Sequence, residues 1–348
     1  MTSGALDDGY KWPSSSHTHP MLYMEYWYFN FTDPETGVGG IIGFGVVNPA
    51  DHLGLGRAAV VGSMFDGEGG ATAFDDLYPI EDFSAHVAAA DVEIGKSGKL
   101  TANGTDHIRV RARSNNGEVQ VDLEFKRAAS QVMIPPGQGP TSWSWNRWLI
   151  YMPSACVSGT VTVKGKQTMI TQGGGYHDHS WGAWPLPLST WAWAVWSAPT
   201  KKHAGVIGYH CAFNKSQAFV LVPHANGGQQ RVDFEESTMV FTPKQIGSWL
   251  LFYKRPTEVS FEAYDSTREW RIDVTWRLTA TANLWRSPVI IFESACTFEG
   301  GIYRKSEDGR WECYQPLNGV PGHSESVDTW WGSGALNEKG SWPGGAGR

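Results

Sequence analysis

The chain has 348 residues, among them 18 tryptophans and 41 glycines, with 18% charged residues and a formal net charge of −7. The aromatic content of 13% excludes extended disorder, and the acidic balance excludes nucleic acid as the main partner. No run approaches the roughly 18 consecutive apolar residues of a membrane span, and the length suggests about two domains.

The first residues, Met1 to Asp8, carry neither a basic nor an apolar leader, so the expected location is cytoplasmic. In that setting the sequons at Asn30, Asn103 and Asn214 are accidents of composition. Cys156, Cys211, Cys296 and Cys313 form no CxxC pair and need no disulfide framework. Met24–Phe31 alternates as a strand, with Asp33–Gly37 as its turn. Only Val87–Ile94 approaches a helical period, over too few residues to make a helix. His107–Arg113 alternates apolar with basic residues, as the wet face of a strand does. Val119–Lys126 alternates at every step after the Asn115–Gly117 turn. Pro135–Gly137 reads as a further turn, and residues 160–171, 190–198, 204–213 and 217–223 read as strands. Beyond Asn226–Gly228, Trp270–Leu278 alternates over nine residues, with Asp308–Gly309 as a later turn.

These elements predict an all-β chain of two tandem antiparallel domains that hide their edges by closure or sandwiching. The expected division is an N-terminal sandwich or barrel over 1–188, a C-terminal barrel over 189–331 and a flexible tail over 332–348. The boundary falls at Pro185-Leu-Pro-Leu-Ser189.

Three clusters could carry chemistry. In Met24–Phe31, alternation puts Glu25, Trp27, Phe29 and Phe31 on one face, so Glu25 sits on an apolar side and must be paired or have its pKa raised. A structural ion pair and a catalytic carboxylate both fit. In Gly173–Gly182, His177 and His179 share a face and Asp178 points away. Such histidines could bind a metal, knot a turn pinned by Asp178, or act as general acid or base. No second His/Cys pair stands at ligand spacing, so no metal is assigned. Ser180 lacks a GxSxG elbow, which leaves hydrolase chemistry without support. In Thr190–Trp196, Trp191, Trp193 and Val195 face one way, and Ala192, Ala194 and Trp196 the other. The tryptophan pair suits either core packing or the wall of an apolar cavity.

Glu25-Tyr-Trp-Tyr28, Gly175-Tyr-His-Asp-His-Ser-Trp-Gly182 and Trp191-Ala-Trp193 together resemble the carotenoid 1,2-hydratase / AttH-like family of double-lipocalin proteins. The resemblance spans residues 25 to 196. It implies an N-terminal sandwich or barrel, a C-terminal lipocalin-like barrel and a pocket between them. The family includes hydratases that add water to an isoprenoid alkene, and a fungal branch of cofactor-free pericyclases performing [4+2] cyclisations. In the hydratases a His-Trp pair works with a Tyr and an Asp on a following strand. His179 and Trp181 match the first pair, but Val195–Tyr209 contains no Asp or Glu. The pericyclase branch is therefore the expectation, acting on an apolar polyketide- or terpenoid-derived small molecule without a cofactor. Water addition and non-catalytic lipid binding are the alternatives. Glu25, His177, His179 and Tyr209 are the candidate polar groups, and Trp27, Trp181, Trp191, Trp193, Trp276 and Trp285 the candidate substrate wall.

Overall fold

The computed structural model describes residues 8–12, 22–138, 144–183, 191–210, 215–249, 253–286 and 289–329. The chain divides into two compact units, Met1–Pro185 and Leu186–Arg348. The expected boundary segment lies outside the described residues, as does the tail.

The first unit is one antiparallel sheet. Its strands are β1 (Tyr23–Thr32), β2 (Gly39–Val47), β3 (Arg57–Phe65), β4 (Ala71–Pro79), β5 (Phe83–Ala85), β6 (Val92–Ile94), β7 (Gly98–Asn103), β8 (His107–Arg113), β9 (Val119–Arg127), β10 (Val132–Gln138), β11 (Trp145–Val163) and β12 (Lys166–Ala183). They run in the order β4-β3-β2-β1-β12-β11-β9-β8-β7-β6-β5, with β10 beside β11. The second unit holds β13 (Trp191–Ala198), β14 (His203–His210), β15 (Lys215–Pro223), β16 (Gln229–Asp233), β17 (Val240–Trp249), β18 (Tyr253–Tyr264), β19 (Trp270–Arg286), β20 (Val289–Lys305), β21 (Trp311–Pro316) and β22 (Val320–Thr329). Their order is β16-β15-β14-β13-β22-β20-β19-β18-β17, with β21 beside β20. One sheet is a nearly closed barrel and the other a half-barrel, and no α-helix occurs among the described residues. The expected all-β fold is the fold adopted.

Alternation decides what each sheet buries. In the first, Trp27, Phe29 and Phe31 of β1 join Ile42, Phe44, Val60, Val121, Leu123 and Phe125 in one core. The charged side of β8 stays wet, as expected, and Arg109 Nε reaches Asp122 of β9 at 2.7 Å. In the second, Ala194 and Trp196 of β13 pack with Ile207, Phe261, Ile272 and Phe298.

Three local expectations are corrected. Residues 160–171 are not one strand, because Lys164 and Gly165 both take positive φ (49° and 82°) and close a hairpin between β11 and β12. Two consecutive left-handed residues are what a two-residue hairpin turn requires. Pro135–Gly137 lies within β10, where the pairing with β11 shifts between Ile134 and Gly137, so the irregularity is absorbed in the strand. The segment 173–182 is no turn either. It is the interior of the long strand β12, paired on one side with β1 and on the other with β11.

Candidate functional site

β1 and β12 run antiparallel with Glu25 opposite Trp181, Trp27 opposite His179 and Phe29 opposite His177. Directly opposed residues share a face, and this is the core face of the first sheet. Glu25, His177 and His179 are each 0% exposed. Buried charge needs partners, and these groups partner one another. His179 Nε2 lies 2.9 Å from Glu25 Oε1, and its Nδ1 lies 3.5 Å from Asp8 Oδ1, an ion-pair distance. His177 Nε2 lies 3.0 Å from Asp8 Oδ2, and its Nδ1 lies 2.9 Å from the Tyr28 carbonyl oxygen. Tyr23 Oη donates to Glu25 Oε2 at 2.6 Å, and the Lys11 amide donates to Glu25 Oε1 at 2.8 Å. Trp27 stacks on His179 and Phe29 on His177, with ring centroids 4.6 and 3.9 Å apart.

Burial alone would raise the Asp8 pKa, but the charges and hydrogen bonds of His177 and His179 outweigh it and hold the carboxyl below its ordinary value. Burial alone would lower the His179 pKa, but the neighbouring carboxylates of Asp8 and Glu25 raise it instead. His177 hydrogen-bonds through both ring nitrogens and His179 through Nε2, while His179 Nδ1 is buried at ion-pair distance from Asp8 with no hydrogen-bond partner among the described residues. Among the described residues no cluster of three His, Cys, Asp or Glu could hold a metal ion.

The other face of β12 is also buried, yet it stands outside the core. Tyr176, Asp178 and Ser180 are at most 3% exposed, and β1 places Asn30, Tyr28 and Tyr26 opposite them. Tyr176 Oη donates to Asp178 Oδ2 at 2.6 Å. Burial first and Asp178 second push the Tyr176 hydroxyl well above its ordinary pKa. Asp178 is therefore no turn residue: it is a strand carboxylate aimed away from both histidines. Asn30 Nδ2 and Ser63 Oγ are buried on this face with no hydrogen-bond partner among the described residues.

In the second sheet, Trp193 pairs with Glu325 of β22, and Glu325 pairs with Glu293 of β20. Register thus lines up one ring and two carboxylates on one face, with Trp191, Val195 and His323 beside them. Trp193 is 7%, Glu325 7%, Glu293 3% and His323 2% exposed, and none belongs to the cluster packed around Trp196 and Phe298. Trp191 Nε1 donates to Glu325 Oε1. Core packing by this strand is done by Ala194 and Trp196 on the opposite face.

A family model described as a domain of unknown function, DUF7064, matches residues 13–243. The chain belongs to the DUF7064 family. No curated protein matches this DUF7064 sequence. Among solved structures, the AttH-like protein NE1406 from Nitrosomonas europaea is similar over 91% of this chain and 96% of its own, at 13% identity and a TM-score of 0.61. Kievitone hydratase from Nectria haematococca is similar over 95% and 97%, at 17% identity and a TM-score of 0.60. CghA, solved alone and with Sch210972, is similar over 89% of both chains, at 12% identity and a TM-score of 0.54. At these identities the likeness is one of fold, and that fold is the AttH-like architecture implied by the sequence motifs.

The candidates named from sequence thus separate in this DUF7064 protein. Glu25, His177 and His179 come together, with Trp181 packed against His179 at 4.9 Å. Trp27 and Trp276 are core residues of their respective units. Trp191, half-buried, and Trp193, buried, share the face opposite Ala194 and Trp196. The side chains of Tyr209 and Trp285 lie outside the described residues. Sequence reasoning missed Asp8, Glu293 and Glu325. Asp8 had one available signal: two histidines on an apolar face require buried polar partners, and Glu25 supplies one. The two glutamates had none, because their strands reach β13 only through sheet order.

Proposed function

We propose that this DUF7064 protein is a cofactor-independent enzyme that holds an apolar, unsaturated small molecule against the tryptophan face of its second sheet and cyclises it in a stereoselective [4+2] reaction. One observation carries the reading: Trp191, Trp193, Glu293 and Glu325 are gathered on one face, opposite the face on which Ala194 and Trp196 pack. Aromatic rings fold a flexible polyene by shape and stacking. Holding it in a near-attack conformation removes rotational entropy from the barrier. A polar group at one end polarises the dienophile. Glu325 or Glu293 fills that role, with Tyr209 and Trp285 as further candidates for the wall. Glu25, His177 and His179 act as positioning residues: they lock β12 and so fix Tyr176, Asp178 and Ser180 on its other face. CghA, solved with Sch210972, shows this fold alongside a small molecule.

A second reading, addition of water to an alkene, is favoured by the carboxylate pair. Glu325 of β22 and Glu293 of β20 stand directly opposed on this face, within reach of one bound alkene. They supply the acid lacking from Val195–Tyr209. Kievitone hydratase bears the name of that chemistry on the same fold.

Product mass in ordinary and heavy water tests both. Linear polyenes bearing an activated alkene are incubated with the protein and the products resolved chirally. A [4+2] product is an isomer of its substrate, carries no solvent deuterium and forms at a rate nearly flat across neutral pH. A product heavier by one water, with deuterium on carbon and a bell-shaped pH–rate profile, overturns cyclisation in favour of hydration.

A further inference from the structure

We infer that His177 and His179 form a carboxylate-binding site in the core face of the first sheet, and that the chain fills this site itself with Asp8, carried on a strap formed by residues 8–12. The site is distinct from the face proposed for catalysis, and its test is independent of that reading.

The sheet supplies every part of the site except the carboxylate. β1 contributes Glu25, Tyr23 and the Tyr28 carbonyl, and β12 contributes both imidazoles. Asp8 arrives from outside the sheet, since residues 8–12 belong to no strand. Both of its oxygens are engaged. Oδ2 lies 3.0 Å from His177 Nε2, and Oδ1 lies 3.3 Å from the same nitrogen and 3.5 Å from His179 Nδ1. Two imidazoles gripping both oxygens is the grip that a free small carboxylate would receive, with the Asp8 methylene serving as tether. The Asp8 side chain is 2% exposed and those of His177 and His179 are 0% exposed, so the site is fully built and screened from water.

Each strap residue is shaped for this seat. The Asp8 carbonyl accepts from Trp27 Nε1 at 3.0 Å. Gly9 presses onto the main chain of Val87, where an added Cβ would lie 2.2 Å from the Val87 carbonyl oxygen, so a larger residue would lift the strap. The Tyr10 amide donates to the His86 carbonyl at 3.0 Å, and its ring packs on Trp27 and Phe83. The Lys11 amide donates to Glu25, while its ammonium lies 5.4 Å above the Trp181 ring. Trp12 packs on Tyr23 with ring centroids 4.9 Å apart. Apart from the Tyr10 amide, these latches are made by or to side chains, which suits a segment that seats in a site more than one that extends a sheet.

Truncating Asp8 to alanine should leave a carboxylate-sized gap lined by imidazole N–H groups. We expect Asp8→Ala to lower the melting temperature by on the order of 10 °C. Sodium formate or acetate should then restore several degrees in a saturable manner, because a ligand bound only by the folded state stabilises it by mass action. Sodium chloride at equal ionic strength should not. Asp8→Asn fills the gap with a neutral amide and should show no formate response. Carbon-13 formate should give a bound resonance with Asp8→Ala and none with the parent protein. If Asp8→Ala does not fold unaided, refolding from urea that succeeds in formate and not in chloride supports the site, and failure in both overturns it. A melting temperature within a degree of the parent, or equal formate shifts in parent, Asp8→Ala and Asp8→Asn, also overturns it.

Discussion

The core face of β12 and the outward face of β13 bury tryptophans, carboxylates and histidines alike, and use them in opposite ways. On β12 each histidine nitrogen faces a carboxylate or carbonyl, Glu25 accepts from Tyr23 and Lys11, and aromatic rings close the stack. Apart from His179 Nδ1, which has no hydrogen-bond partner among the described residues, the groups satisfy one another. On β13 the rings of Trp191 and Trp193 stand beside the opposed carboxylates Glu293 and Glu325, away from the core. The lesson is that the motif most conspicuous in sequence, His-Asp-His, has its histidines tied to Asp8 and Glu25 inside the sheet. The quieter strand, with carboxylates brought to it by β20 and β22, is the better place to look for chemistry.

That contrast breaks most visibly through Glu25. Glu25→Ala strands His179 without one countercharge, and losing one partner of a buried pair costs about 3–5 kcal/mol. Urea unfolding should register that loss. A variant of unchanged stability that is inactive on every substrate would reassign Glu25 to chemistry and erase the distinction between the two faces.

A smaller loss is expected from Asp178→Ala, which leaves the buried Tyr176 hydroxyl without its acceptor. A stranded buried donor costs about 1–3 kcal/mol, so a lowered melting temperature with residual turnover is the expected pair of results. Abolished turnover at an unchanged melting temperature would place Asp178 in the reaction.

On β13 the ordering should reverse, with function moving more than stability. Trp193→Ala should slow the reaction or scramble its stereoisomer ratio, and Trp193→Phe should keep much of both. Chiral product analysis of the two variants decides, and identical product ratios in parent and Trp193→Ala would remove this face from the site.

Acidity sharpens the contrast from the first sheet's side. The His179 pKa is raised in the fold, so its contribution is fully present below its ordinary value of 6.5 and is lost as pH rises through the raised one. The Asp8 pKa is lowered, so its contribution is present above its ordinary value of 3.8 and is lost as pH falls through the lowered one. Stability should therefore be greatest between those ordinary values and decline on the alkaline side. Denaturation midpoints across pH should show this for the parent and a flatter curve for Asp8→Asn. The exposed Arg109–Asp122 pair belongs to neither face, and Arg109→Ala should shift the melting temperature by no more than about a degree.

What the sequence determined by itself was the alternation. Period two along Met24–Phe31 and Thr190–Trp196 is a property of extended backbone, so strand identity there was legible, as were the shared face of His177 and His179 and the opposed face of Asp178; that Gly173–Gly182 is strand throughout and not a turn was not. So was the burial of Glu25, because its neighbours on that face are Trp27 and Phe29. The hairpin at Lys164-Gly165 was missed because a lysine does not advertise positive φ, whereas the Asn and Gly of Asn115–Gly117 do. Tertiary structure alone decided which face of each strand became core, because alternation divides a strand without saying which side turns inward. On β1 the Trp27 side went in. On β13 the Ala194–Trp196 side did, leaving Trp191 and Trp193 for another use. Tertiary structure also decided which distant residues met: the strap of residues 8–12 set Asp8 against His177, and sheet order set Glu293 and Glu325 beside Trp193. Those contacts join residues separated by most of a domain, and no local periodicity records a pairing made by the closing of a sheet.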